Sequence, residues 1–471
     1  MPNFAHQPTS EQTHSVYKNT HSNFRLAYCR LLNRTDLNFW ICDGEQSCSG
    51  GGNFLEIRGP MFATIFAIAL VLLGSISTIA QGAEAKWWKG NLHTHTLWSD
   101  GDDFPDMVAN WYKENGYNFL AISDHNILLE GDKWISLGTN ATRKVAFDRY
   151  RAKFPANFRA QTNGANIRVR LATLNELKKQ FEAAGQFLMI PSEEISAAHG
   201  SAPIHINATN IRDFIKPRNG TNVLEVMQNN IDAVLAQRQR TGQPMFPHVN
   251  HPNFHFAISP EDLMKVQGER FFEVYNGHPS VFNEGDETRP STERIWDIVL
   301  AWRLAVLHLE PMFGVAVDDS HNYHQDSPVN SNPGRGWIMV RAAQLTPEHI
   351  VHAMEAGDFY ASTGVRLKNI SRTNGELSLE IDPEPGVTYT INFIGTKKDS
   401  VLPQEKGGPT IDPAKIGQPL VEEINGTKAT YRLKPDDLYA RAFILSSKVK
   451  KNGLRPQEFE RAWTQPIFPP K

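Results

Sequence analysis

The sequence predicts an α/β protein, built as a mostly parallel sheet or an α/β barrel and followed by a small antiparallel β domain. Up to about residue 365, short apolar runs typical of strands alternate with helical stretches. Beyond residue 366, short alternating runs are separated by Gly, Pro and Asp. The candidate strands of the first part are NFLAIS (118–123), QFLMIP (186–191), IHINATN (204–210), PMFPHV (244–249), FFEVYN (271–276) and FGVAVD (313–318).

Two of the intervening stretches carry clear helix signals. The segment 173–185 opens with a Thr-x-x-Glu capping box and is expected to end at Gly185. The segment 291–304 places apolar residues at helical spacing on one face. Strands and helices that alternate in this way indicate parallel strands joined by helical crossovers.

Two long regions lack this alternation. Residues 130–172 are rich in Arg and Lys and show no clear periodicity. This favours a solvated lid or flap that covers the barrel part of the chain (86–365). The β-rich region 366–471 contains no histidine, so the chemistry is expected upstream of it.

Composition and charge exclude some classes of function. The formal net charge of −3 argues against a nucleic-acid partner, because such surfaces are strongly basic. All three cysteines lie in the first 48 residues, so neither a thiolate metal site nor a disulfide framework is expected beyond them. The sequence gives no indication of oligomeric state.

The region before residue 86 predicts export. Residues 61–85 combine an apolar run with a terminal Ala-Glu-Ala, the pattern of a cleaved secretory signal peptide. The alternative is a membrane anchor, since just under 20 apolar residues are barely enough to span a bilayer. Residues 1–60 are interpreted as a non-native or disordered extension ahead of the true start at Met61. We therefore expect an exported protein, or a membrane-anchored one if the segment is not cleaved.

Histidines and carboxylates gather where the candidate strands end. In α/β barrels, reactive residues come from the C-terminal ends of several different strands. The residues concerned are His93 and His95, Asp124 and His125, Glu193 and Glu194, His205, His248 and His251, and Asp318, Asp319 and His321. So many strand ends carrying such residues predict a metal site rather than isolated buried histidines.

The residue types and their spacing suit divalent ions. Alternate residues of a strand point to the same side, so His93 and His95 can bind one cation. Imidazole and carboxylate ligands without sulfur suit Zn, Mn or Fe. A carboxylate can bridge two ions, and two ions can generate hydroxide and stabilise the attacking and leaving oxygens. The expected nucleophile is therefore a metal-bound hydroxide.

The ordered motifs resemble a known superfamily. His-x-His followed by Ser-Asp-Gly, then SDHN, a strand-end Glu, His-Pro and a late Asp-x-His resembles the PHP (polymerase and histidinol phosphatase) superfamily. Within it, the stretch GNLHTHTLWSDGDDFPDMVANWYKENGYNFLAISDHN is similar to the CehA/McbA-type branch. The resemblance covers roughly residues 89–365 and implies a distorted (β/α)7 barrel with two or three metal ions at its C-terminal rim.

The resemblance also implies a ligand set for each ion. The first ion would be held by His93, His95, Glu194 and Asp319. Glu194 would bridge to a second ion that His205 and His251 also bind. Asp100, His125 and His321 would hold a third, with Asp100 standing where many members of the family have histidine.

Neighbouring residues compete for these roles. Glu194 is preferred to Glu193 because it precedes a β-branched residue, as the family's glutamate does. His251 is preferred to His248 because it begins the His-Pro motif, and His248, Asp124 and Asp318 are expected to support the ligands by hydrogen bonding. His278 and Arg335 are candidate catalytic or substrate contacts, since an anionic substrate needs donors near the metals.

Two classes of function remain open from the sequence. The first is a metal-dependent hydrolase acting on small-molecule phosphoesters, or on carbamates or aryl esters with the same fold. The amidohydrolase superfamily also begins with His-x-His on a barrel strand, but the Ser-Asp-His and Asp-x-His motifs favour the PHP pattern. The second class is an exported binding module that metals only stabilise.

Overall fold

In a computed structural model, the chain is described at residues 84–164, 166–403 and 408–469. The predicted extension 1–60 and nearly all of the predicted signal or anchor segment 61–85 lie outside these residues. Within the described ranges, no helix combines the length and apolar character needed to cross a bilayer.

The strands before residue 363 form the framework of the site. They are β1 (Lys86–Asn91), β2 (Phe119–Ile122), β3 (Trp134–Ser136), β4 (Ala160–Asn163), β5 (Asn166–Arg170), β6 (Leu188–His199), β7 (Ala202–Thr209), β8 (Phe246–Val249), β9 (Phe271–Asn276), β10 (Phe313–Val317), β11 (Trp337–Ala342) and β12 (Phe359–Ser362). The helices between them are α1 (Pro105–Glu114), α2 (Ala141–Lys153), α3 (Leu174–Phe181), α4 (Val223–Thr241), α5 (Pro260–Leu263), α6 (Thr292–Trp302) and α7 (Pro347–Glu355).

The strands after residue 366 are antiparallel, as the alternating runs predict. They are β13 (Leu367–Thr373), β14 (Glu376–Ile381), β15 (Tyr389–Lys397), β16 (Val401–Leu402), β17 (Thr410–Ile411), β18 (Gln418–Pro419), β19 (Ile424–Asn425), β20 (Lys428–Arg432), β21 (Asp437–Val449) and β22 (Phe459–Thr464). Short 3₁₀ turns lie at Lys398–Ser400 and Pro413–Lys415, and a π turn at Arg303–Leu307 extends α6.

One large sheet runs through most of the chain, in the order β10-β9-β8-β7-β6-β2-β1-β11-β12-β22-β21-β15-β18. Because β22 pairs with β12, strands from both sides of residue 365 belong to this sheet. The predicted domain boundary at 365/366 therefore falls within a continuous sheet.

The α/β class is confirmed, but the sheet is mixed rather than mostly parallel. β1, β2 and β6 run parallel, as do β8, β9 and β10. Between these two sets, β7 runs antiparallel to both β6 and β8. A tight turn after His199 returns the chain directly along β6, which leaves no room for a helical crossover.

Seven strands of this sheet curl toward a ring. From β10 to β1 they follow one another by hydrogen-bonded pairing, and β10 packs against β11 and β12 without forming strand pairs. Just beyond the strands, a parallel bridge between Thr94 and Ser320 joins the first strand of this set to the last. The carboxyl ends of β1 and β10 are thereby brought together at one edge.

The helix predictions hold with one correction. Thr173 and Glu176 form the predicted capping box at the start of α3, a motif whose cap contributes about 1 kcal/mol. The prediction that this helix ends at Gly185 is wrong, because α3 ends at Phe181 and Gly185 lies in a later turn with φ 66°. Ile295 and Val299 of α6 are buried, as the apolar spacing of 291–304 predicts.

The predicted lid or flap 130–172 contains regular structure that its lack of periodicity does not reveal. β3, β4 and β5 form an antiparallel sheet there, and α2 packs beside it. Ile135, Phe147 and Tyr150 are buried in the same apolar cluster as Phe104 and Leu120. The apolar residues of this segment are divided among short elements, which is why no single period reveals them.

Candidate metal centre

The residues predicted to hold a first ion lie together at the carboxyl ends of β1 and β10. His93 Nε2 is 3.4 Å from Glu194 Oε1 and 3.2 Å from Asp319 Oδ1. His95 Nε2 is 3.4 Å from Glu194 Oε2 and 3.2 Å from the same Asp319 oxygen. His93, His95 and Asp319 form one of the groups whose ligand atoms could hold a metal ion.

A second group surrounds the same glutamate from the β6–β7 side. His205 Nδ1 lies 2.9 Å and His251 Nε2 lies 3.5 Å from Glu194 Oε1. His125 Nδ1 lies 2.7 Å from Glu194 Oε2. Glu194 is thus shared by the histidines predicted for the first and second ions.

A third group lies toward the exterior. The carboxylate of Asp100 is 3.4 Å from His125 Nε2 and 3.5 Å from His321 Nε2. His95 Nδ1 is 3.6 Å from it. The Asp100 side chain is 54% exposed, whereas the first group is almost fully buried, so an ion here would exchange most readily. All nine predicted ligands therefore lie in one connected cluster.

The choice between Glu193 and Glu194 follows from the strand itself. β6 does not end at these residues, as the sequence predicts, but continues to His199. Because neighbouring residues of a strand point to opposite faces, Glu194 turns to the histidines and Glu193 turns away. Glu193 Oε1 accepts a hydrogen bond from the Ile215 amide at 2.6 Å, and burial raises the pKa of Glu193 to about 8.

The turn after His95 places Asp100 by close packing. The amide groups of Ser99 and Gly101 both donate to the Thr96 carbonyl at 3.0 Å. A Cβ at position 101 would lie 2.7 Å from the carbonyl carbon and oxygen of His95. Glycine is therefore needed for a close backbone approach to the His-x-His segment.

Asp319 adopts an uncommon backbone conformation. Its φ of 49° lies in the left-handed region, which a non-glycine residue occupies only at a cost of about 1–3 kcal/mol. The Asp319 amide donates to the His93 carbonyl at 3.0 Å. This contact holds the strained residue against the end of β1, where its carboxylate meets both histidines.

Sequence reasoning missed Glu273. The Glu273 carboxylate lies 2.6 Å from His93 Nδ1 and accepts a hydrogen bond from the His251 amide at 2.7 Å. His248 Nε2 is 3.2 Å from it, and the Asn276 side-chain amide donates to it at 2.8 Å. The available signal was a single acidic residue within the apolar strand FFEVYN. A carboxylate that holds the second nitrogen of a ligand histidine fixes the orientation and tautomer of its ring.

Asp124 and Asp318 form hydrogen bonds with residues that adjoin the predicted ligands. Asp124 accepts hydrogen bonds from the amide and hydroxyl groups of both Thr96 and Ser99. Asp318 accepts from the Tyr112 hydroxyl and from three consecutive amides, those of residues 334–336. Both carboxylates brace the backbone around the cluster.

The histidines of the cluster differ strongly in basicity. Burial opposes protonation of His93, but the surrounding carboxylates outweigh it and hold the pKa of His93 well above its usual range. Burial likewise opposes protonation of His125, yet Glu194 and Asp100 raise the pKa of His125 to about 11. Burial, together with the imidazole of His321, lowers the pKa of His95 to about 3.

The donor atoms fit a divalent ion. His93 Nε2 and His95 Nε2 are buried and have no hydrogen-bond partner among the described residues. Both nitrogens point to one oxygen of Asp319. Unpartnered buried polar atoms are costly, and converging nitrogen and oxygen donors are what Zn, Mn or Fe bind.

His278 lies at the edge of the cluster. Its ring centre is 5.5 Å from that of His321, and its Nδ1 accepts a hydrogen bond from the Ser280 amide at 3.1 Å. Burial lowers the pKa of His278 to about 4. A neutral ring that accepts at Nδ1 carries its proton on Nε2, so His278 is a hydrogen-bond donor at neutral pH.

The prediction that Arg335 contacts substrate is wrong. The side chain is fully buried, and its guanidinium donates to the backbone carbonyls of Asn452, Gly277, Ser327 and Asn330. Its remaining contact is with the Asn332 side chain. Because its guanidinium N–H groups are all bonded to the protein, Arg335 links three loops and does not face the cluster.

Comparison with known proteins gives only weak likenesses. No family model matches the chain, and no curated protein matches it. A two-domain protein from Bacteroides vulgatus, containing a predicted PHP-like metal-dependent phosphoesterase, aligns at 13% identity and a TM-score of 0.34, over 81% of this chain and 95% of that one. A candidate metal-dependent phosphoesterase from Bifidobacterium adolescentis aligns at 14% identity and a TM-score of 0.26, over 50% and 89%. Similarity at this level decides nothing about activity.

Proposed function

We propose that the chain is a metal-dependent hydrolase of small-molecule phosphoesters. One observation carries the proposal: three groups of histidines and carboxylates overlap in one cluster, and two of them share Glu194. A binding module stabilised by metal would need only one closed group of ligands. The open third group around Asp100 favours an enzyme instead.

Each group of side chains has a distinct task in this proposal. His93, His95, Glu194 and Asp319 would hold one ion. Glu194 would be shared with a second ion, held also by His205 and His251, and Asp100 with His125 and His321 would hold a third. When bound, two or three ions of Zn, Mn or Fe would activate water and neutralise the charge of a phosphoester. Glu273 keeps His93 oriented, and His278 donates from Nε2 to the oxygens of the substrate.

An aromatic wall favours a second candidate within the same reaction class. The Phe254 ring lies 5.0 Å from the His251 ring and 5.8 Å from that of His278. An aryl leaving group would pack there, as in hydrolysis of an aryl ester or a carbamate.

We further propose membership of the PHP superfamily, in its CehA/McbA-type branch, with a distorted (β/α)7 barrel. The seven-strand arrangement linked at Thr94 and Ser320 and the clustering of the nine motif residues support this assignment. Export by the segment 61–85, with membrane anchoring as the alternative, is part of the same proposal and rests on the sequence pattern.

A hydrolase panel tests the proposal directly. Full-length protein reconstituted with Zn, Mn or Fe is assayed on phosphomonoesters, phosphodiesters, carbamates and aryl esters. We expect metal-dependent hydrolysis of a phosphoester that chelation abolishes. Turnover of only carbamates or aryl esters would favour the second candidate, and stoichiometric metal without any hydrolysis would reject both.

Asp100→Ala is expected to remove one bound ion. The substitution deletes the only carboxylate of the third group and leaves the buried ligands of the other two unchanged. Metal analysis by mass spectrometry should find close to three ions in the loaded wild type and one fewer in the variant. Asp148→Ala, which removes an exposed carboxylate outside the metal cluster, is the control. A wild type that never exceeds two ions would eliminate the third site.

Metal binding should release protons and strengthen as pH rises. In the metal-free protein the raised pKa values of His93 and His125 keep both rings protonated at pH 7, and a metal ligand must be neutral. Affinity should therefore rise about tenfold per pH unit for each proton released. Calorimetric titration in two buffers of different ionisation enthalpy measures the number of protons. Heats that do not depend on the buffer would contradict the expectation.

A further inference from the structure

A cavity of about 480 Å³ lies beside the metal cluster, where the loop between β21 and β22 meets the turn after β9. Pro279, Val281 and Asn283 line one wall, and Leu454, Arg455 and Arg461 line the other. His278, on the same turn, faces His321, so the turn separates the cavity from the metal ligands. The cavity is therefore distinct from the metal centre but adjacent to it.

The carboxylates of this cavity are already neutralised. Glu458 Oε1 accepts from Lys450 Nζ and from the Tyr275 hydroxyl, each at 3.0 Å, and Glu458 Oε2 accepts from the Leu454 amide at 2.6 Å. Glu284 is paired with the Arg461 guanidinium at 2.6 Å. Each acidic side chain of the cavity is thus already paired with a cationic one.

The donors, in contrast, are in excess. The buried Nε of Arg461 has no hydrogen-bond partner among the described residues. Arg455 is exposed at the rim and forms no ion pair within the described part of the chain. A site with spare guanidinium donors and satisfied carboxylates selects an anion, since guanidinium groups match carboxylate and phosphate oxygens.

We infer that this cavity is a second ligand site, for a small organic anion whose carboxylate or phosphoryl oxygens bind Arg455 and Arg461. The remaining walls, including Pro279, Val281 and Leu454, are apolar and would hold the body of the ligand. One wall is also linked to the metal centre. Asn283 exchanges hydrogen bonds with the backbone of Asn276, whose side chain donates to Asp319 at 3.0 Å.

Calorimetry on the full-length chain tests the inference without relying on hydrolysis. The probes are benzoate, phenylphosphonate and neutral benzamide, which share a phenyl body and differ in the polar group. We expect one or both anions to bind and benzamide not to bind. Preference for benzoate would identify a carboxylate site, and preference for phenylphosphonate a phosphoryl site. Equal binding of benzamide would overturn the inference.

Two arginine variants locate the site. Arg455→Gln and Arg461→Gln should each weaken binding of the anion about tenfold or more, as expected for a lost charge-assisted hydrogen bond. Arg455→Gln removes no ion pair, so it should fold even if Arg461→Gln does not. Arg432→Gln, which changes an exposed arginine of the same β-rich region that does not line the cavity, is the control.

A variant of the metal cluster separates this site from the proposed active site. Glu194→Gln should retain the affinity for the anion, because Glu194 does not line the cavity. Loss of anion binding in that variant would place the anion at the metal centre, and unchanged binding in both arginine variants would place it outside the cavity; either result would overturn the inference. Failure of the hydrolase panel would leave this binding result unaffected.

Discussion

Glu194→Gln is expected to remove bound metal and hydrolytic activity together. Glu194 is fully buried and contacts histidines of two predicted ion sites. Those histidines hold its pKa well below the usual range against the effect of burial, so the side chain is an anion at neutral pH. Glutamine keeps the shape but cannot supply the charge that two cations share. The loss of metal affinity should exceed the 10–100-fold typical of an outer-shell partner.

Glu193→Gln is the matched control, one residue away on the opposite face of β6. It keeps a hydrogen-bond acceptor for the Ile215 amide, and it replaces a carboxyl whose pKa is already raised to about 8 by burial. We expect metal content and activity close to wild type. Metal analysis and kinetics on both proteins provide the comparison. Equal damage in the two variants, or full activity in Glu194→Gln, would reject the bridging role.

Glu273→Gln is expected to lower metal affinity about 10–100-fold, the range found for carboxylates that orient a ligand histidine. The carboxylate holds His93 at Nδ1 and also the His251 amide, so its charge acts on histidines of two ion sites. A glutamine side chain would lack the negative charge, and its NH₂ group could not accept a hydrogen bond from His93 Nδ1 or from the His251 amide. Calorimetric affinity for Zn or Mn measures the effect independently of hydrolysis.

Glu269→Gln is the corresponding control for Glu273→Gln. Glu269 is a buried glutamate two residues before the start of the same apolar strand region, and it lies outside the metal cluster. Burial raises the pKa of Glu269 well above its usual range, so its neutral replacement should leave metal affinity unchanged. A similar fall in both variants would mean that Glu273 acts through general stability rather than through His93.

Local rules were sufficient for several residues of the site. The side-chain alternation of a strand is a property of adjacent residues, so His-x-His predicted a shared face, and the same alternation separates Glu194 from Glu193. The capping box at Thr173 is equally local. The family resemblance supplied the remaining ligands, and the structure brings them into one cluster.

These local rules could not predict contacts between residues that are far apart in sequence. Glu273 meets His93 across 180 positions in sequence because the ring of strands brings β9 to the end of β1, and a single acidic residue in an apolar strand does not reveal its partner. In the same way, the hydrogen bonds of Arg335 depend on the positions that loop 327–330 and the turn at Asn452 take in the folded protein.

The sequence by itself determined the α/β class and the antiparallel character of the region after 366, because periodicity is a local property, and its resemblance to a known superfamily named the candidate ligands. Only the tertiary structure decided that β7 returns antiparallel, that 130–172 packs as a folded unit, and that β22 joins the large sheet through β12. Strand direction and sheet order depend on how buried surfaces from remote segments fit together. No local pattern encodes that fit, so those features emerge only when the whole chain has packed.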